Sequence, residues 1–198
     1  MKIFCNNSKP CFKPCCKPLT FILTICLIAF SAAFVSASEK TDKIKPPFGI
    51  RHFDIGAAAN FLLPDIDGDS FELNSTKGHW VFLHFWASWC GPCVEEMPTI
   101  QILADDLQGE NLQIIMINTA EDEDTIFTFL GEMNIELNSL MDADGQVTEV
   151  WKPRGLPTTF LINPQGEVKY QAIGGREWNK PEYIEFLKKL ISSTDKLK

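Results

Sequence analysis

Beyond residue 37 the chain has only two cysteines, Cys90 and Cys93; the other five of its seven, Cys5, Cys11, Cys15, Cys16 and Cys26, come earlier. Two cysteines so close together cannot form the disulfide framework of a small secreted domain, because a short loop restrains little unfolded-chain entropy. Histidine is equally scarce. His52, His79 and His84 are the whole supply and all precede the pair, so the four ligands of a structural zinc site are missing. Positive charge is the third shortage. The first 37 residues carry Lys2, Lys9, Lys13 and Lys17 and no acid, which leaves 14 of the 18 basic side chains against all 26 acidic ones, a formal charge of −12. That balance argues against nucleic-acid binding, which neutralises phosphates with Lys and Arg. There is no repeat or low-complexity tract, and 45% apolar with 22% charged residues is the composition of a folded globular chain.

What is present begins with a targeting signal. Residues 1–18 are a basic, cysteine-containing leader. Residues 19–37, LTFILTICLIAFSAAFVSA, form an uncharged apolar run followed at once by polar SEKTDKIKPP. Lysines before such a run orient it for export. Val35, Ser36 and Ala37 offer the small residues that a signal peptidase cuts after, while the run is close to the ~20 residues that span a bilayer; signal peptide and membrane anchor both fit. No lipobox-type small-residue pair precedes Cys26, which argues against a lipid anchor there. Cys11, Cys15 and Cys16 are candidates for metal binding or acylation near the membrane, but an unstructured leader is the simpler reading. Residues 38–50 are a polar linker and residues 51–198 the folded domain. Export places that domain in the periplasm or on the outer face of the cytoplasmic membrane, soluble if cleaved after Ala37 and tethered if not.

Within the domain, residues 61–64, an aspartate-rich turn at 65–69 and residues 70–73 predict an N-terminal hairpin. Neither that turn nor Asp142-Ala143-Asp144-Gly145 has the Gly and Glu positions of a calcium loop. Residues 80–86, WVFLHFW, are almost continuously apolar, as in a central strand covered on both faces. Val94, Met97, Ile100, Leu103 and Leu107 recur at helical spacing up to Gly109, with a kink expected at Pro98. Residues 112–117 are the next buried strand, making a parallel strand–helix–strand unit. Ile126, Phe127, Leu130 and Met133 predict a further helix, with Glu121, Asp122, Glu123 and Asp124 as its solvated entry. Residues 158–162, a turn at 163–166 and residues 167–173 predict an antiparallel hairpin. Tyr183, Ile184, Leu187, Leu190 and Ile191 mark a closing amphipathic helix. The sum is an α/β domain whose central mixed sheet is flanked by helices.

The cysteines stand where the buried strand runs into the helix, in FWASWCGPCVEEMP, residues 85–98. Unpaired N–H groups and the positive dipole end of a helix favour a thiolate at its start, which makes Cys90 the nucleophile. Pro92 suits a first helical turn, where its missing N–H costs nothing, and Gly91 lets a substrate backbone approach the sulfur. Cys93, about one turn further in, is shielded yet close enough to resolve a mixed disulfide, the order of dithiol exchange.

Residues 85–93, FWASWCGPC, resemble the thioredoxin active site. Together with Glu96-Met97-Pro98, the stretch RGLPTTFLI at residues 154–162, the NPQG turn at 163–166 and Gly174, the chain is similar to the exported TlpA/ResA-like branch of that superfamily over residues 57–191. The resemblance implies a thioredoxin-like fold with an N-terminal hairpin extension and an inserted strand–helix element. It also implies a redox-active Cys90–Cys93 disulfide with no other cofactor. Pro157 would be the cis proline beside the dithiol, and Leu156 would offer backbone hydrogen bonds to an extended client segment. Glu96 would move protons for Cys93, and Trp89, with Gly91 and Pro92, would shape the docking surface. His84 departs from the pattern: thioredoxins proper have a buried acid there, and many exported relatives have Asn. A neutral imidazole at that place can relay protons near Cys93, although a hydrogen-bonded core histidine is the simpler reading, because its strand neighbours are apolar and the sequence shows no partner.

These readings converge on an exported thiol–disulfide oxidoreductase that reduces disulfides in other exported proteins, with apocytochrome c a client by family analogy. An oxidising compartment cannot recharge such a reductant, so a membrane electron donor is implied. A dithiol oxidase or isomerase on the same fold is the nearest alternative, disfavoured by Gly-Pro between the cysteines. A peroxidase would want Thr where Ala87 stands. A non-catalytic module holding peptide or metal is the alternative from another class, and no metal site is expected, since no histidine follows the cysteines.

Overall fold

The computed structural model describes residues 44–195. The leader at 1–18, the export segment at 19–37 and the linker's start at 38–43 lie outside the described residues. Among the described residues no helix is long and apolar enough to cross a membrane. The chain enters the fold at β1 (Ile50–Ala57), followed by the short hairpin β2 (Leu62–Pro64) and β3 (Ser70–Glu72). Then come β4 (Trp80–Trp86), α1 (Gly91–Asp106), β5 (Leu112–Thr119), α2 (Glu123–Glu132), β6 (Ser139–Asp142) and α3 (Gln146–Trp151). The hairpin β7 (Thr158–Ile162) and β8 (Glu167–Ile173) and the helix α4 (Pro181–Asp195) complete it. The main sheet runs β1-β8-β7-β4-β5-β6. Strands β4, β5 and β6 are parallel to one another, and β7, β8 and β1 join antiparallel, so the sheet is mixed as expected.

The alternation of β4 decides where the site lies. Every residue of the strand is buried, and successive side chains leave opposite faces. Val81, Leu83 and Phe85 pack into the core with Phe61, Leu63, Trp151 and Phe160. Trp80, Phe82 and Trp86 pack on the other side with Met97, Ile100 and Leu103 of α1 and Leu187 and Leu190 of α4. His84 shares that second face, which puts an imidazole under the active-site helix. Trp178, fully buried between β8 and α4, meets Phe82 edge-on at 4.7 Å between ring centres and anchors this layer.

The structure departs from the sequence reading in three places. Strand β1 is unannounced because most of its side chains face solvent; pairing with β8 holds it there. Ile50, assigned to the linker, is already buried in that strand. Phe127 lies on the outer face of α2, 68% exposed, while Ile126 and Leu130 take the core. The turn chemistry expected at Asp142–Gly145 is present, the Gly145 N–H donating to the Asp142 carbonyl at 3.0 Å, and the buried Asp142 carboxylate also accepts from the N–H groups of Val147 and Thr148 at 3.0 and 2.7 Å, in the first turn of α3.

Lys169 of β8 is buried, yet its ammonium lies 3.0 Å from Asp54 and 3.1 Å from Glu167. Burial works against the charge, but the hydrogen bonds to the two carboxylates outweigh it, so the Lys169 pKa is raised. The bond from Lys169 in turn lowers that of Asp54. Asp54 therefore contributes stability above the ordinary carboxylate range that is lost as pH falls through its lowered folded value. Lys169 contributes below the ordinary lysine range and loses its share as pH rises through its raised value. Because the Asp54 side chain is half exposed, Asp54→Asn is expected to cost no more than about 1 kcal/mol at pH 7. Urea unfolding at several pH values should show the gap from wild type closing below about pH 3.9.

Candidate active site

Strand β4 ends at Trp86, and a tight turn delivers Cys90 to the N-cap of α1, its N–H donating to the Ala87 carbonyl at 3.2 Å. The Cys90 carbonyl accepts from Cys93 and Val94 at 2.9 and 3.1 Å, opening the helix, and Pro92 occupies its first turn. The two sulfurs are joined in a disulfide. Cys93 is fully buried and Cys90 is 6% exposed, so Cys90 is the more accessible of the two. Helix N–H groups around that sulfur lower the cost of a thiolate there. Gly91 is exposed, and nothing lies within 4 Å of where a side chain would begin. Trp89, next in the chain before Cys90, is 68% exposed and belongs to the surface, not to the strand end.

Opposite this turn, the Leu156–Pro157 bond is cis. The register Phe85↔Thr158 sets Pro157 alongside Trp86, and Gly174 donates its N–H to the Pro157 carbonyl at 2.9 Å. Gly174 does so at φ +83°, and a Cβ on Gly175 would lie 2.9 Å from the Pro92 carbonyl oxygen. Both glycines are thus required: one for its backbone, the other for the close approach to α1. Pro157 is therefore linked through Gly174 and Gly175 to Pro92, which stands between the two cysteines in the chain. Leu156 is half-buried, and its backbone groups engage in no hydrogen bond among the described residues.

Behind Cys93 the helix carries Glu96 on the same face, only 3% exposed. One carboxylate oxygen accepts the Arg176 N–H at 2.9 Å. The other lies 3.1 Å from Nε2 of the fully buried His84, off the line of an aligned hydrogen bond and with no other partner among the described residues. Nδ1 of His84 lies 2.9 Å from the Thr159 hydroxyl. A cleft of about 580 Å³ opens against Pro92, Gly175 and Arg176 with Glu96 in its wall. The arrangement is a disulfide, a buried acid one turn behind it, an imidazole against that acid, and a channel to solvent. Among the described residues no His, Cys, Asp and Glu side chains are grouped to hold a metal.

A family model described as the AhpC/TSA family matches residues 55–171. The thiol-disulfide oxidoreductase ResA of Bacillus subtilis (strain 168) is 36% identical over 111 residues, 56% of this chain and 62% of its own length. ResA of Halalkalibacterium halodurans is 36% identical over 132 residues, 66% of this chain and 75% of its own. The chain is a ResA-like member of the AhpC/TSA family. In three dimensions it is similar to StoA from Bacillus subtilis, with a TM-score of 0.56 at 27% identity over 67% of this chain and 96% of that one. The thioredoxin-like fold expected from the motif is the fold observed.

Two features of this ResA-like site were hidden in the sequence. His84 does have a partner, Glu96, which only the packing of α1 on β4 reveals. Glu121 is the other. Instead of a solvated helix entry, its carboxylate reaches the active-site turn, accepting from the Ser88 N–H at 2.7 Å, from the Ser88 hydroxyl, and from Asn118 Nδ2 at 2.6 Å. Asp122 plays the role expected of the run, capping α2 through the Thr125 N–H at 2.8 Å, and that bond lowers its pKa.

Proposed function

We propose that the chain is an exported thiol–disulfide oxidoreductase that reduces disulfides in other exported proteins. The observation that carries this reading is the Cys90–Cys93 pair at the N-cap of α1, its buried member backed by Glu96. In the reduced protein the Cys90 thiolate attacks one sulfur of a client disulfide. A bond forms from Cys90 to that sulfur, and the other client sulfur leaves as a thiolate that is protonated by solvent. Glu96 takes the proton of Cys93, with His84 at 3.1 Å as a second station and the cleft as the exit to water. The Cys93 thiolate then attacks the Cys90 sulfur and expels the second client thiolate. The client gains two electrons and two protons, and the protein is left with the Cys90–Cys93 disulfide.

Trp89, Gly91 and Pro92 on one side and Leu156 and Pro157 on the other receive the client backbone, Leu156 through its unengaged N–H and carbonyl. Residues 19–37 support export to the periplasm or the outer membrane face, as signal peptide or anchor. Disulfide-containing exported proteins, apocytochrome c among them, are the client class. A membrane protein that carries electrons from the cytoplasm returns Cys90 and Cys93 to thiols. The test is the reduction potential of the pair, equilibrated against defined thiol buffers. A value near the thioredoxin end, about −270 mV, is expected; one near −120 mV would reverse the direction of electron flow.

A further inference from the structure

We propose that Glu121 is a positioning residue for disulfide exchange, holding the turn that presents Trp89 and Cys90 to the client. This rests on the oxidoreductase reading above. The turn from Ala87 to Cys90 joins a buried strand to a helix with a single backbone bond across it, Cys90 N–H to Ala87 carbonyl at 3.2 Å. The remaining constraint comes from Glu121, at the mouth of α2. One carboxylate oxygen takes the Ser88 N–H at 2.7 Å and Asn118 Nδ2 at 2.6 Å, and the other takes the Ser88 hydroxyl. Asn118 is itself fully buried and stands opposite Trp86 in the β4–β5 register. The brace thus ties the turn to the rigid centre of the sheet. Hydrogen bonds to an ionised acceptor are the short, strong kind, and Ser88 immediately precedes Trp89, two residues before the nucleophile.

A second role for the same carboxylate would act with the opposite sign. A negative charge near Cys90 disfavours its thiolate, so if Glu121 acted through its field alone, removing it would speed exchange at pH values below the thiol pKa. Positioning predicts slowing.

The experiment compares the full chain with Glu121→Ala, Glu121→Gln, Ser88→Ala and the Glu121→Ala/Ser88→Ala double variant. The readouts are kcat/KM for reduction of insulin disulfides and the pH profile of Cys90 alkylation by iodoacetamide. Misplacement of a reacting group by about 1 Å can cost ~100-fold, and Glu121→Ala is expected to lose about 10- to 100-fold in kcat/KM. Glu121→Gln should fall between it and wild type, and the double variant should be no slower than Glu121→Ala, since both substitutions cut one brace. Thermal unfolding separates lost geometry from lost fold. Ser88→Ala removes only a hydroxyl and keeps the test open should Glu121→Ala unfold. A Glu121→Ala protein as fast as wild type or faster overturns the proposal, as do Ser88→Ala and Glu121→Ala losses that multiply in the double variant. A wild-type protein that leaves insulin oxidised overturns the reductase reading and with it this role.

Discussion

Replacing Cys93 by serine is expected to leave clients covalently attached to Cys90. The reason is geometric. Cys90 is the sulfur at the edge of the site and Cys93 the fully buried one behind it, so attack survives the substitution while resolution does not. The adduct should appear as a band of added mass on a non-reducing gel, released by dithiothreitol. Cys90→Ser should form no adduct and lose turnover by about 10³-fold or more, as removal of a nucleophile does elsewhere. The exposed Trp89 and the linked Pro157, Gly174 and Pro92 remain in both variants, so noncovalent docking is retained and the difference isolates the chemistry. A Cys93→Ser protein that turns over at the wild-type rate would remove Cys93 from the mechanism.

Glu96 is the second residue whose loss should be large, and two substitutions divide its roles. Glu96→Ala strands the Arg176 N–H and leaves His84 Nε2 facing empty space, in a region where both residues of the pair are buried. The Arg176 N–H is the one group that loses a hydrogen bond, so the cost is about 1–3 kcal/mol of stability. The loss should loosen the segment from Arg176 to Trp178, which is also held to α1 through Thr99. Glu96→Gln keeps the shape and an acceptor for Arg176, so its unfolding midpoint in urea should stay near wild type. An amide cannot take a proton from Cys93, so resolution of the mixed disulfide should slow by about 100-fold. A Glu96→Gln protein resolving at full speed would reduce Glu96 to a structural clamp, and His84 would then hold only the Thr159 hydroxyl.

Much of this molecule was legible along the chain because the physics involved is short-ranged. WVFLHFW announces a doubly covered strand, the recurrence from Val94 to Leu107 announces a helix, and the NPQG turn joins two strands; each signal lies within a few residues of what it shapes. The redox pair was legible for the same reason, since a helix start acts on the sulfur placed at that start. Strand β1 was not, because edge pairing with β8 needs no apolar pattern. The turn at Asp142 was legible, but the contacts of its carboxylate with α3 were not, because they depend on β6 ending there.

The partners of buried polar groups lie further beyond local reach. Lys169 meets Asp54 across 115 positions and Ser88 meets Glu121 across 33, and neither separation carries a periodicity that would betray it. His84 looked partnerless in an apolar strand until α1 lay across β4 and brought Glu96 within 3.1 Å. Local spacing was enough to place the two cysteines at the start of a helix behind a buried strand of a mixed α/β sheet, where the disulfide is found. Strand register and helix packing chose the acid that faces the imidazole and the carboxylate that braces the turn, because a buried charge is tolerated only where the completed fold supplies its hydrogen bonds.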